Sequence, residues 1–120
     1  MSGAAELAGL RVFVAEDEVL LVMLLEDMLA DLECEIVGPF TSLSAALEGA
    51  DAGGFDVALV DMNLGSDKAD PLVERLRARG KPYAIASGGS ADGHPVVLGK
   101  PYGFDELQRT LETLKSGIAS

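Results

Sequence analysis

A chain of 120 residues, 48% of them hydrophobic, has enough apolar material for one core and little room for a second domain, so residues 1–120 are expected to form a single domain with its core at about 10–116. Nine Lys and Arg stand against twenty Asp and Glu, a formal net charge of −11. This balance excludes a nucleic-acid surface and an anionic membrane surface, both of which need clustered cations, and leaves open a bound cation or a basic partner. Cys34 is the one cysteine, so no intramolecular disulfide is expected. The first residues carry no basic stretch followed by an apolar run, and no segment is long and apolar enough to span a bilayer, so the expected compartment is the cytoplasm.

In chain order, residues 10–16 ("LRVFVAE") read as a strand and 18–33 as a helix. Taking 100° per residue, Leu21, Leu25, Met28, Leu29 and Leu32 share the face assigned to the core, while Leu20 and Met23 fall opposite, flanked by Asp27 and Asp31. Residues 35–40 are a second strand closed by Gly38-Pro39, and 42–50 a short helix that Ser42 can cap. Residues 55–62 form a third strand. Residues 70–80 form a helix with Pro71 in its first turn and Gly80 at its end. Strands at 82–87 and 95–99 follow, then a helix at 103–116 with Phe104, Leu107, Leu111 and Leu114 at i, i+3, i+7 and i+10. The terminal segments 1–9 and 116–120 are expected to fray. Apolar strands alternating with helices predict a five-stranded parallel sheet covered on both faces. Between strands four and five, "GGSADGH" is too short and glycine-rich for a helix, which predicts a mobile loop there.

In such a sheet the ligand site lies beyond the carboxyl ends of the strands. Those ends carry Glu16 and Asp17, Asp61, Ser87, and Lys100 before Pro101. Three converging carboxylates repel unless a cation neutralises them, and oxygen ligands without His or Cys favour Mg²⁺. A hydroxyl and an ammonium suit a phosphoryl oxygen, which makes Asp61 a candidate nucleophile with Lys100 and Ser87 stabilising the transferring group. Each residue also has a plainer reading. Asp61 alone could cap a loop, Ser87 before Gly-Gly is ordinary turn chemistry, and Glu18 suits a helix N-terminus. His94 reads as a loop residue and Cys34 as a small packing residue.

The ordered set "VFVAEDE", "VALVDMNL", "AIASGG" and "LGKPY" resembles a bacterial response-regulator receiver domain over nearly the whole chain. The resemblance implies a flavodoxin/CheY-like (βα)5 fold, here with the helix between strands four and five missing or reduced. It implies Asp61 as phosphoacceptor and Mg²⁺ held by Glu16, Asp17, Asp61 and the backbone carbonyl of Asn63. It also implies Ser87 as the switch hydroxyl, and Lys100 as the lysine whose bond to the next proline is usually cis. Val97 stands where receivers usually carry Tyr or Phe, so the usual aromatic switch is not expected. "PYAIASGG" is similar to the signature of the atypical FAT GUY subfamily, with Tyr83, Ile85 and Ser87 as departures, and that subfamily is associated with HWE-type histidine kinases.

The resulting expectation is a stand-alone receiver, phosphorylated by a histidine kinase or phosphotransfer protein. It signals by protein contact or drains phosphate, and catalyses only its own phosphorylation and dephosphorylation. A phosphohydrolase of the haloacid-dehalogenase type would want a DxD motif after strand one, and a flavodoxin-like cofactor binder a Ser/Thr-rich phosphate loop; "AEDEV" supplies neither.

Overall fold

Runs of Val, Ala, Leu and Ile bury both faces of an extended chain, and here they build the centre of a sheet. The computed structural model describes residues 7–87, 97–99 and 103–118. Its strands are β1 (Arg11–Ala15), β2 (Glu35–Phe40), β3 (Val57–Asp61), β4 (Asn63–Leu64), β5 (Asp67–Lys68), β6 (Tyr83–Ser87) and β7 (Val97–Gly99). Its helices are α1 (Val19–Asp31), α2 (Leu43–Ala52), α3 (Asp70–Ala78) and α4 (Phe104–Ser116). The main sheet runs β2-β1-β3-β6-β7, with every neighbouring pair parallel.

Alternation along the strands sorts the core into two layers. Val12, Val14, Val57 and Leu59 point to one face, beneath Leu25, Met28 and Leu29 of α1 and Leu107, Leu111 and Leu114 of α4. Phe13, Ala15, Ala58 and Val60 point to the other, against Ala46 and Ala50 of α2 and Leu72, Val73 and Leu76 of α3. The face of α1 assigned to the core is buried throughout, whereas Leu20 and Met23 are 77% and 55% exposed. In α4, Phe104 stays partly exposed at the first turn while the three leucines are buried. Ser42 caps α2, its hydroxyl accepting the Ala45 N–H at 3.2 Å. Pro71 lies in the first turn of α3, and Gly80 follows that helix with φ +67°.

Three differences from the sequence reading have physical causes. Strand β2 has the expected bounds, 35–40, but Gly38-Pro39 lies inside it as a bulge and does not close it, and the register with β1 resumes at Ala15 opposite Phe40. The end of segment 1–9 does not fray: Leu7 is fully buried in the α1/α4 layer, Gly9 N–H donates to the Glu33 carbonyl, and Cys34 Sγ lies 3.5 Å from the Leu7 carbonyl. The same packing pushes the Cys34 thiol up to about 11, because burial disfavours the thiolate. Residues 63–68, left unassigned between strand and helix, form the antiparallel β4–β5 hairpin. The expected reduction of a helix between the fourth and fifth strands falls on residues 88–96, outside the described residues, as does the mobile loop expected there. Among the described residues, no helix is long and apolar enough to cross a membrane.

Candidate functional site

Strands β1 and β3 are paired with Ala15 opposite Val60, so the next residues, Glu16 just past β1 and Asp61 at the end of β3, lie side by side at the sheet's carboxyl edge. Asp17 comes one residue later, where the chain turns towards α1. The carboxylate oxygens of Glu16, Asp17 and Asp61 lie within 4.8 Å of one another. Among the described residues, Glu16 and Asp61 are the buried polar side chains, at 2% and 8% exposure, and Asp17 is exposed.

Backbone donors orient all three groups. Glu18 N–H donates to Glu16 Oε2 at 3.1 Å, Asn63 N–H to Asp61 Oδ1 at 3.2 Å, and Gly65 N–H to Asp17 Oδ2 at 2.8 Å. Lys68 Nζ in turn donates to the Asn63 side-chain oxygen at 2.9 Å. Two unit charges at this separation repel by about 3 kcal/mol at an effective dielectric of about 20. Such an acidic cluster could hold a small, hard cation. The donor set is all oxygen, with no thiolate or imidazole in the cluster, and it fits Mg²⁺.

The structure thus brings together Glu16, Asp17 and Asp61, with Asn63 bonded to Asp61 through its backbone N–H. Ser87 ends β6, one residue past Ala86, the partner of Asp61, and it pairs with Gly99 of β7. Lys100 follows Gly99 and lies outside the described residues, as do Pro101 and the bond between them.

The sequence reading missed two contributors. The β4–β5 hairpin supplies the Gly65 N–H that grips Asp17; its signal was Gly65-Ser66 between two short extended pairs, with Gly65 at φ +64°. The Phe40 carbonyl accepts the Glu16 N–H at 3.0 Å, and no sequence pattern marks a backbone acceptor of that kind.

A parallel sheet with helices on both faces and an acidic cluster at its carboxyl edge defines an α/β protein of flavodoxin/CheY-like fold. SdrG from Sphingomonas melonis Fr1 is 36% identical, with a TM-score of 0.77 over 95% of this chain and 98% of that one. SdrG in its BeF3-activated conformation gives 36% identity and a TM-score of 0.74 over 90% and 98%. The chain belongs to the response-regulator receiver domains. The receiver domain of sensor histidine kinase PA1611 from Pseudomonas aeruginosa PAO1, with a magnesium ion coordinated in its active-site cleft, shares the fold at 22% identity. Its TM-score is 0.81 over 91% of this chain and 99% of that one. No sequence-family model and no curated protein sequence matches the chain.

Proposed function

We propose that this receiver accepts a phosphoryl group on Asp61 from a histidine kinase or phosphotransfer protein, and that Mg²⁺ is its cofactor. The observation that carries the reading is the acidic cluster, two of whose three carboxylates are buried and all of which are oriented by backbone N–H groups. Carboxylate oxygens gathered at one strand edge, two of the three groups buried, make an oxygen-only site that suits a hard divalent cation.

In the proposed step, an Asp61 carboxylate oxygen forms a bond to phosphorus while the bond from phosphorus to the donor nitrogen breaks, its electron pair returning to the imidazole. Water later cleaves the acyl phosphate, restoring the carboxylate and releasing inorganic phosphate. The Asn63 N–H holds Asp61 Oδ1 and so fixes the rotation of the reacting carboxylate. Asp17, Asp61 and the Asn63 carbonyl would hold Mg²⁺, with Glu16 acting mainly through water; when bound, the ion supplies positive charge opposite the phosphoryl oxygens. Ser87 and Lys100 are assigned the remaining phosphoryl oxygens. The chemistry is confined to the domain's own phosphorylation and dephosphorylation.

Donor docking is placed on the outer face of α1. Leu20 and Met23 are exposed there, in the first turns after Glu18, at the helix end that follows the acidic residues. An apolar patch beside a site that must meet a partner's phosphohistidine suits a helical donor domain. The resemblance of "PYAIASGG" to the FAT GUY signature supports an HWE-type kinase as that donor. Output is by protein contact or by draining phosphate from the kinase.

Incubation with acetyl phosphate and Mg²⁺ tests the reading. Wild type should gain one base-labile, acid-stable phosphoryl group, and Asp61→Asn none. Equal labelling of the variant would overturn the assignment.

A further inference from the structure

We propose that Phe40, gripped between Gly38 and Gly49, is a positioning residue for Glu16 and thereby sets cation affinity at the acidic edge. This rests on the reading of that edge as a metal site. Glu16 is the most buried member of the cluster, and its backbone N–H is held by the Phe40 carbonyl at 3.0 Å. That bond is made where β1 leaves the sheet, immediately before the acidic residues. Where Phe40 sits therefore decides where Glu16 starts.

Three features hold Phe40. Its ring stacks on Phe13, with centroids 4.8 Å apart and planes at 28°. On one side is Gly38, at φ +110°, where a Cβ would lie 2.9 Å from Phe40 Cδ2 and 3.0 Å from the Val14 carbonyl oxygen. On the other is Gly49 in α2, where a Cβ would run into the ring tip, at 2.7 Å from both Cε atoms. Glycine inside a helix costs about 1 kcal/mol relative to alanine. At residue 49 that cost coincides with a ring seated directly on the helix backbone, and at residue 38 the missing side chain makes room for the bulge that re-registers β2. Both glycines serve the placement of one residue, and that residue's carbonyl serves Glu16.

A role confined to core packing would change stability and leave metal binding alone, so the two are separable. Mg²⁺ is titrated into the whole chain, and affinity is read from the amide shifts of residues 16, 17, 63 and 65. Gly49→Ala, whose methyl displaces the ring, is expected to weaken Mg²⁺ binding about tenfold, the scale on which outer-shell partners act. Combining it with Phe40→Leu, which removes the ring atoms that the methyl meets, should restore most of that loss. Affinity within about twofold of wild type in folded Gly49→Ala overturns the inference. Should Gly49→Ala not fold, Phe40→Ala decides on the same terms: about tenfold weaker binding supports the inference, and unchanged binding overturns it. A wild type that shows no response at millimolar Mg²⁺ overturns the metal reading and the inference together, whereas a wild-type response unchanged in the variants overturns the inference alone.

Discussion

Replacing Asp61 by Asn keeps the side chain's shape and an oxygen for the Asn63 N–H, while deleting one of three crowded charges. Glu16 and Asp61 are both buried, so their mutual repulsion is little screened by salt. With carboxylate oxygens within 4.8 Å of one another it amounts to about 3 kcal/mol at an effective dielectric of about 20. Turning the charge-assisted bond from Asn63 N–H into a neutral one costs about 1 kcal/mol in return. Without divalent cation, Asp61→Asn is therefore expected to be more stable than wild type by about 1–2 kcal/mol. For a chain of this size that raises Tm by roughly 4–8 °C. Mg²⁺ should narrow the gap, since at ten times Kd it stabilises wild type by about 1.4 kcal/mol and the variant by less. Thermal unfolding followed by far-UV circular dichroism, in EDTA and again in MgCl₂, measures both effects. A variant less stable than wild type in EDTA would refute the repulsion argument.

Leu20→Ser combined with Met23→Ser should slow phosphotransfer from the cognate kinase at least about tenfold while leaving labelling by acetyl phosphate unchanged, because hot-spot apolar contacts contribute on the order of 1–2 kcal/mol each; equal loss with both donors would point to misfolding. Ser42→Ala removes the oxygen that accepts the Ala45 N–H and should cost about 1 kcal/mol in urea unfolding, with the m-value unchanged. The Arg11 guanidinium, hydrogen-bonded to Asp56, holds that carboxyl below its ordinary range. A carboxyl depressed in the folded state contributes stability above its unfolded pKa and loses it as pH falls through the folded value. The stability gap between wild type and Asp56→Asn, measured from pH 7 down to about pH 3, should therefore shrink with acid, and a gap that widens would contradict the pairing.

Most of the layered architecture was legible because it is written in period. Val12, Phe13, Val14 and Ala15 alternate between the two core layers, and Leu21, Leu25, Met28, Leu29 and Leu32 recur at helical spacing. The acidic cluster was legible because Glu16 and Asp61 sit at the ends of apolar runs that must be adjacent strands. The missed parts depend on contacts between residues distant in sequence. Gly38-Pro39 reads locally as a stop, yet β1 offers a register that carries the pair inside β2 as a bulge. Leu7 looks like part of a frayed tail until the layer beneath α1 and α4 supplies a place to bury it. Gly65 reads as a turn glycine, and only the fold brings its N–H to Asp17, 48 residues away.

The central claim is that Asp61 carries the phosphoryl group. Borohydride reduction of the acetyl-phosphate-treated chain converts an acyl phosphate to an alcohol at the residue that carried it, and peptide mass spectrometry then locates that residue. The account predicts conversion at residue 61 alone, dependent on Mg²⁺. Conversion at Glu16 or Asp17, or none at residue 61 in a chain that has taken up phosphate, would contradict it.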